Sequence, residues 1–243
     1  MKLTDTQLAA FERDGFILLR GVVGKARCEA ILDAAKEEIA LRRPPIETEG
    51  EYVDTANPTL RRLRQVYDRR EAFRDWMTDR EIRPMLKQVL HDTPVLTLAH
   101  HNSIMTKMPA RSTETCWHQD RRYWHYQNDN LVSVWLALGE ERMENGVLEF
   151  IPGSHKLNFL PEQFDEKTCF MTGIPENDAL IAKKVHFDLH EGDVILFHCR
   201  TLHHAFQNQT DKPKISFVYT VKGQATKPVP GTRSSDYPEI VLY

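Results

Sequence analysis

Cys116-Trp117-His118-Gln119-Asp120 is the stretch on which the reading of this chain turns. It is strand-like, and a strand sends alternate side chains to the same face, so His118 and Asp120 point together. An imidazole and a carboxylate at that spacing can fill two adjacent positions on a metal. One more histidine completes the two-histidine, one-carboxylate face that leaves positions open on ferrous iron. The candidate third ligand is His203, just beyond the apolar strand Ile195-Leu196-Phe197-His198, which the turn Glu191-Gly192-Asp193 opens. Its neighbour His204 is the rival. A bare H-x-D triplet is weak evidence, because a surface histidine beside an aspartate usually does nothing, and the surrounding chain has to decide.

Around this stretch the texture is that of strands. Pro94–Met108, Thr115–Asp120, Leu131–Leu138, Gly146–Ile151, Lys184–Leu189, Asp193–His198 and Ile215–Val221 are short, β-branched or aromatic, and bounded by turn residues. The first ninety or so residues read as helices. Thr4 or Asp5 caps a helix carrying Leu8 and Phe11 that Gly15 stops, and Lys25–Leu41 has amphipathic periodicity. Residues 46–58 read as a polar loop. Residues 60–90 read as helical, with Phe73, Trp76, Ile82, Met85, Leu86 and Leu90 buried and a break at Pro84. Helices first and strands after predict a mainly β protein with N-terminal helices packed on one face of a sandwich or barrel. The expected organisation is a single domain over 1–243: a helical layer over 1–92, a β core over 93–222 and a C-terminal extension over 223–243.

Composition narrows the function. The 243 residues carry 32 Lys+Arg against 35 Asp+Glu, a formal charge of -3, with no basic tail, which argues against nucleic acid as partner. The arginines between Arg61 and Arg83 are interleaved with acids and read as a solvated helix surface rather than a phosphate-binding face. No apolar run approaches the ~20 residues of a membrane-spanning helix, and no signal-peptide core opens the chain, so a cytoplasmic protein without a membrane partner is expected. The four cysteines, at 28, 116, 169 and 199, form no C-x-x-C pair and are expected to be reduced.

From Leu3 to about Val221 the sequence resembles the phytanoyl-CoA dioxygenase (PhyH) family of iron(II) and 2-oxoglutarate dependent oxygenases. Four features carry the resemblance: Asp14-Gly15-Phe16 within the opening segment; Trp117-His118-Gln119-Asp120; Glu144-Asn145-Gly146-Val147-Leu148 leading to Pro152-Gly153-Ser154-His155; and Gly192-Asp193 with His203 ten residues later. The gap of 85 residues between His118 and His203 also matches. The resemblance implies a double-stranded β-helix (jelly-roll or cupin-like) core and His118, Asp120 and His203 as iron ligands. It implies dioxygen and 2-oxoglutarate as co-substrates, ascorbate as a reductant, and hydroxylation of a small molecule with release of succinate and carbon dioxide. Two positions depart from the family. The arginine that anchors 2-oxoglutarate falls on Lys214, which offers a point charge without a bidentate fork, and a common serine is Ala205. Both lie on the co-substrate side, and they keep two alternatives open: an iron enzyme of this fold that no longer uses 2-oxoglutarate, and a metal or small-ligand sensor without turnover.

Further co-substrate contacts implied by the resemblance are Trp135, which as a strand tryptophan is equally a core residue, and Lys107 and Ser103 on the preceding strand. Arg121-Arg122-Tyr123-Trp124-His125 follows the aspartate and is weighed equally as a holder of an anionic or amide-bearing substrate and as a loop on the core rim. His100 and His101 alternate, so at most one faces the cavity. His155 is expected in a structural turn, and His91, His186 and His190 at the surface or strand edges. Cys116 shares the metal-facing side, which raises self-oxidation as an alternative to plain packing. A monomer or homodimer is expected.

Overall fold

A computed structural model describes residues 1–51 and 58–243; residues 52–57 of the expected polar loop lie outside the described residues. Among the described residues the large sheet has eight strands. In chain order they are β1 (Phe16–Leu19), β2 (Ile46–Thr48), β3 (Leu60–Arg64), β4 (Pro94–Lys107), β6 (Leu131–Ala137), β9 (Val194–His198), β11 (Lys214–Gly223) and β12 (Glu239–Val241). The smaller sheet has four: β5 (Thr115–His118), β7 (Leu148–Phe150), β8 (Val185–His186) and β10 (His203–Ala205), in the order β5-β10-β7-β8. All pairings are antiparallel. The helices are α1 (Asp5–Asp14), α2 (Lys25–Leu41), α3 (Glu71–Met77), α4 (Arg83–Leu90) and α5 (Pro175–Ile181). This is a jelly-roll core with the N-terminal helices on one face, the fold class expected from the sequence, while α5 packs beside Trp117 and Phe170.

Alternation in the central strands shows why two layers must flank the large sheet. In β6, Val132, Val134 and Leu136 join the core under the helices, while Trp135 and Ala137 join the core between the sheets. In β9, Val194 and Leu196 face the helices, and Ile195 and Phe197 face inward. Strands apolar on both faces need cover on both sides. α2, α3 and α4 supply one cover through Ile31, Ala35, Phe73, Trp76, Met85 and Leu86, and the small sheet supplies the other.

Local signals placed α1 and α2 with the expected bounds. Thr4 accepts from the Gln7 amide and Gln7 answers to the Thr4 amide, while Gly15 at φ 83 closes the helix. A β-carbon at Gly15 would lie 2.3 Å from His155 Nδ1 and 2.6 Å from Thr201 Oγ1, so the tight turn is also where α1 docks on the core. The expected break between two short helices is present, α3 ending at Met77 and α4 starting at Arg83, with Pro84 in the first turn of the second.

The expectations for 46–58 and for the start of 60–90 need correction. Ile46–Thr48 and Leu60–Arg64 are paired strands, and Leu63 stands opposite Ile104. In five residues, Leu-Arg-Arg-Leu-Arg fits a helical and a strand period about equally, and the exposed edge of β4 decides. Of the arginines of this region, Arg74 and Arg80 are exposed as expected, but Arg61, Arg69 and Arg70 are not part of a solvated surface. Arg61 is buried against Glu47 and Glu49, and Arg69 and Arg70 converge with Arg43 on fully buried Glu38. Their partners lie outside the run of acids that the sequence interleaves with them. Among the described residues no helix is long and apolar enough to cross a membrane.

Candidate metal centre

His118 and His203 are direct partners across the β5–β10 pairing, which sets their rings 4.1 Å apart between centroids. β5 ends at His118, and Asp120 opens a 3₁₀ turn, Asp120–Tyr123. Strand alternation therefore delivers the histidine, and the turn, not the strand, delivers the acid. The backbone is fixed there by the Arg121 amide donating to Cys199 O at 3.0 Å and by the Gln119 side chain donating to Arg200 O. Asp120 Oδ1 lies 3.9 Å from His118 Nε2 and 3.7 Å from His203 Nε2. All three ligand atoms fall within 4.8 Å of one another, and all three residues are buried.

The tautomers suit a metal. His118 Nδ1 is 2.7 Å from Cys116 O, and His203 Nδ1 is 3.0 Å from Thr201 O. A carbonyl only accepts, so each Nδ1 carries the proton and each Nε2 presents its lone pair to the centre. Burial pushes both imidazoles below their ordinary pKa, His118 strongly, and so keeps them neutral. Burial alone would raise Asp120, but His101, His203 and His118 outweigh it and hold the carboxyl well below its usual range. Ser133 Oγ donates to Asp120 Oδ2 at 2.7 Å, and His101 Nε2 meets Oδ1 at 2.7 Å. Two neutral imidazoles and one carboxylate are a suitable donor set for a divalent first-row metal.

The cavity beside the triad lies between the sheets, with Leu148, Phe197 and Val218 in its apolar lining and Lys107 and Lys214 in its polar lining. Those lysines are paired residues of β4 and β11. Lys214 Nζ donates to Glu141 Oε2 at 3.2 Å and stands 5.1 Å from the Trp135 ring centre. Ser216 Oγ and Trp135 Nε1 donate to the same carboxylate, which is fully buried. Lys107 Nζ donates to the carbonyl oxygens of Thr113 at 2.9 Å and Ala205 at 3.4 Å. Burial, helped by Lys214 and Arg61, lowers the Lys107 pKa to about 7 against the opposing pull of Glu49 and Glu114.

The structure thus brings Lys107, Trp135, Lys214 and Ala205 to the cavity together with His118 and His203. Ser103, buried on β4, is not among the lining residues. His204 points the other way, between Glu149 and Glu114. His101 lines the cavity, whereas His100 turns to Ser234. Arg121 is held by Asp129 and by Trp124 O, and Arg122 by the carbonyls of Lys167 and Thr168; neither lines the cavity. His155 lies in a 3₁₀ turn, and His91, His186 and His190 are exposed. Cys116 is not a reduced thiol but forms a disulfide with Cys169, 53 residues on, with Cα atoms 5.7 Å apart. That spacing carries no local signature. Sequence reasoning also missed Ser133 and Glu141. The first is one serine in an apolar strand, and the second sits in Gly139-Glu140-Glu141-Arg142, which reads as an ordinary solvated loop.

The sequence profile of the phytanoyl-CoA dioxygenase (PhyH) family matches residues 11–216. The ectoine dioxygenase of Streptomyces avermitilis is 27% identical over 230 residues, covering 87% of this chain and 76% of that protein. The human peroxisomal phytanoyl-CoA dioxygenase is 25% identical over 225 residues, covering 86% of this chain and 65% of that one. Among solved structures, the epimerase SnoN in complex with Fe3+, alpha ketoglutarate and nogalamycin RO superposes with a TM-score of 0.78 at 22% identity, over 93% of this chain and 86% of SnoN. EctD from S. alaskensis with 2-oxoglutarate and 5-hydroxyectoine gives 0.77 at 20% identity, over 99% and 86%.

Proposed function

The chain belongs to the phytanoyl-CoA dioxygenase family of non-haem iron(II) and 2-oxoglutarate dependent oxygenases, and from that premise we propose that His118, Asp120 and His203 hold the ferrous ion of a small-molecule hydroxylase. The observation that carries the assignment is the convergence of two neutral Nε2 atoms and one carboxylate oxygen within 4.8 Å in a buried pocket. Iron held by His118, Asp120 and His203 would, with 2-oxoglutarate and dioxygen, supply the oxidising power for hydroxylation while 2-oxoglutarate is converted to succinate and carbon dioxide.

The chain's own residues prepare the place. The carbonyls of Cys116 and Thr201 hold the imidazoles in the metal-binding tautomer, and Ser133 fixes the rotation of the Asp120 carboxylate. Leu148, Phe197 and Val218 keep the cavity dry, which strengthens each charge contact inside it. Lys107 and Lys214 offer positive charge to the far carboxylate of 2-oxoglutarate, with Trp135 as the wall beside it. Because both arginines after Asp120 are engaged by the loops around them, the case for an anionic substrate rests on no cavity-lining arginine of that run. The substrate of this reading is a small molecule that meets His101, Met105 and the apolar wall. A cytoplasmic monomer or homodimer belongs to the same reading.

Anaerobic addition of iron(II) and 2-oxoglutarate is expected to give a visible charge-transfer band, and admission of air to release succinate. His118→Ala, Asp120→Ala and His203→Ala should each lose the band and the metal. Full iron binding by all three variants would overturn the ligand assignment.

A further inference from the structure

Lys107 and Lys214 stand directly opposite each other on antiparallel strands, both nearly out of solvent, at 8% and 5% exposure. Two like charges in that position repel, and a buried ammonium needs a counter-charge. Glu141 is the acid bonded directly to one of them, while Glu49 and Glu114 act on Lys107 through space. Glu141 is anchored by Ser216 Oγ at 2.6 Å, by Trp135 Nε1 at 3.2 Å and by Lys214 Nζ at 3.2 Å, so its carboxylate is held from three sides. Arg61, the remaining cation on the cavity wall, is engaged by Glu47 and Glu49. Among the described residues the acceptors for Lys107 Nζ are the Thr113 and Ala205 carbonyls. Of the two lysines, Lys214 is bonded to a carboxylate, and Lys107 is the one that no acid among the described residues bonds directly.

We propose that Glu141 sets the charge of this subsite: it spends the charge of Lys214 internally, so that the lysine pair takes one carboxylate of the co-substrate, with Lys107 as its principal holder. Glu141 is a positioning and selectivity residue, not a catalytic one. The inference rests on the reading that a dicarboxylate enters this cavity, and it gives Lys214 a different part from that of a lone anchor. The anchor's partner is already inside the protein, and what Lys214 does for the ligand is to cancel Glu141.

The test is calorimetric titration of glutarate, a dicarboxylate with no keto group for a metal, into the full chain and its variants. Glu141→Gln keeps the volume and the contacts to Ser216 and Trp135, and should bind glutarate about tenfold tighter, equivalent to about 1.4 kcal/mol. Lys214→Met leaves Glu141 facing Lys107 and should weaken binding about tenfold or more. The double variant Glu141→Gln/Lys214→Met restores the charge count and should return to within about threefold of the parent. A double variant as weak as Lys214→Met would overturn the proposal, because Lys214 would then be a direct contact and Glu141 merely its neighbour. Parent and Glu141→Gln protein that both ignore glutarate would overturn it too. The expected order of glutarate affinities in a protein that gives no iron–oxoglutarate band would leave this inference standing and sink the oxygenase reading alone.

Discussion

Lys107 is the residue whose chemistry is most exposed to experiment. Its pKa is lowered to about 7, first by burial and then by Lys214 and Arg61, so the folded protein resists its protonation. Between about pH 7 and the ordinary lysine value near 10.4 the unfolded chain carries a proton there that the folded one lacks. In that window this residue makes stability rise with pH, and below it the cost of the buried charge is fully present. Lys107→Met is therefore expected to melt higher than the parent at pH 6 in the absence of dicarboxylate, and a thermal scan checks it. The opposite sign holds for the ligand. A carboxylate favours the ammonium, so binding should weaken as pH rises above about 7 and take up a proton there, which calorimetry in buffers of different ionisation enthalpy reads directly. Ser133 makes a second residue-scale case. Ser133→Ala removes the hydroxyl from Asp120 Oδ2 and should lower iron affinity roughly tenfold with the fold intact, as measured by competition with a chelator.

Among the elements, β5 and the turn after it do the most for the site and depend most on distant support. The Cys116–Cys169 bond ties the segment around Phe170 to the strand that carries His118, and the Phe170 amide donates to Trp117 O at 2.7 Å beside it. Closing a loop of that separation is worth about 4 kcal/mol in the chain-entropy account, so Cys169→Ser is expected to lower unfolding free energy by about 2–4 kcal/mol in denaturant titration. Intact mass of protein isolated without reductant should be two hydrogens short of the all-thiol form. At the other end of the core, Gly15 shows what a short motif encodes. Asp14-Gly15-Phe16 was legible as a helix stop, yet its tight approach to His155 and Thr201 was not, since those partners arrive from turns far along the chain. Likewise β4 was readable as a long strand, but that its edge would recruit β3 and β12 was not.

For the whole molecule, the helical layer is joined to the core by charge as well as by apolar packing. Fully buried Glu38 on α2 receives Arg43, Arg69 and Arg70. Burial would raise its pKa, but the three guanidinium groups hold it below the ordinary value. Glu38 therefore stabilises the fold above the ordinary carboxylate pKa, and that contribution is lost as pH falls through its lowered folded value. Glu38→Gln should cost roughly 1–3 kcal/mol at pH 7 and progressively less in acid, which chemical denaturation at several pH values can follow. The amino-acid sequence by itself determined the helices with their caps, most strands of the core, the H-x-D turn and its distant histidine, and the family to which they belong. Those features are set by neighbours a few residues apart, or by motifs whose order along the chain is itself the signal. The tertiary structure alone decided that Cys116 finds Cys169, that Arg61 finds Glu47 and Glu49 across a strand pair, and that Glu141 rises from a polar loop to cancel Lys214. Each of those depends on which surface the folded chain leaves beside a buried charge or thiol, and desolvation makes such pairings strong while leaving no periodic trace in the sequence.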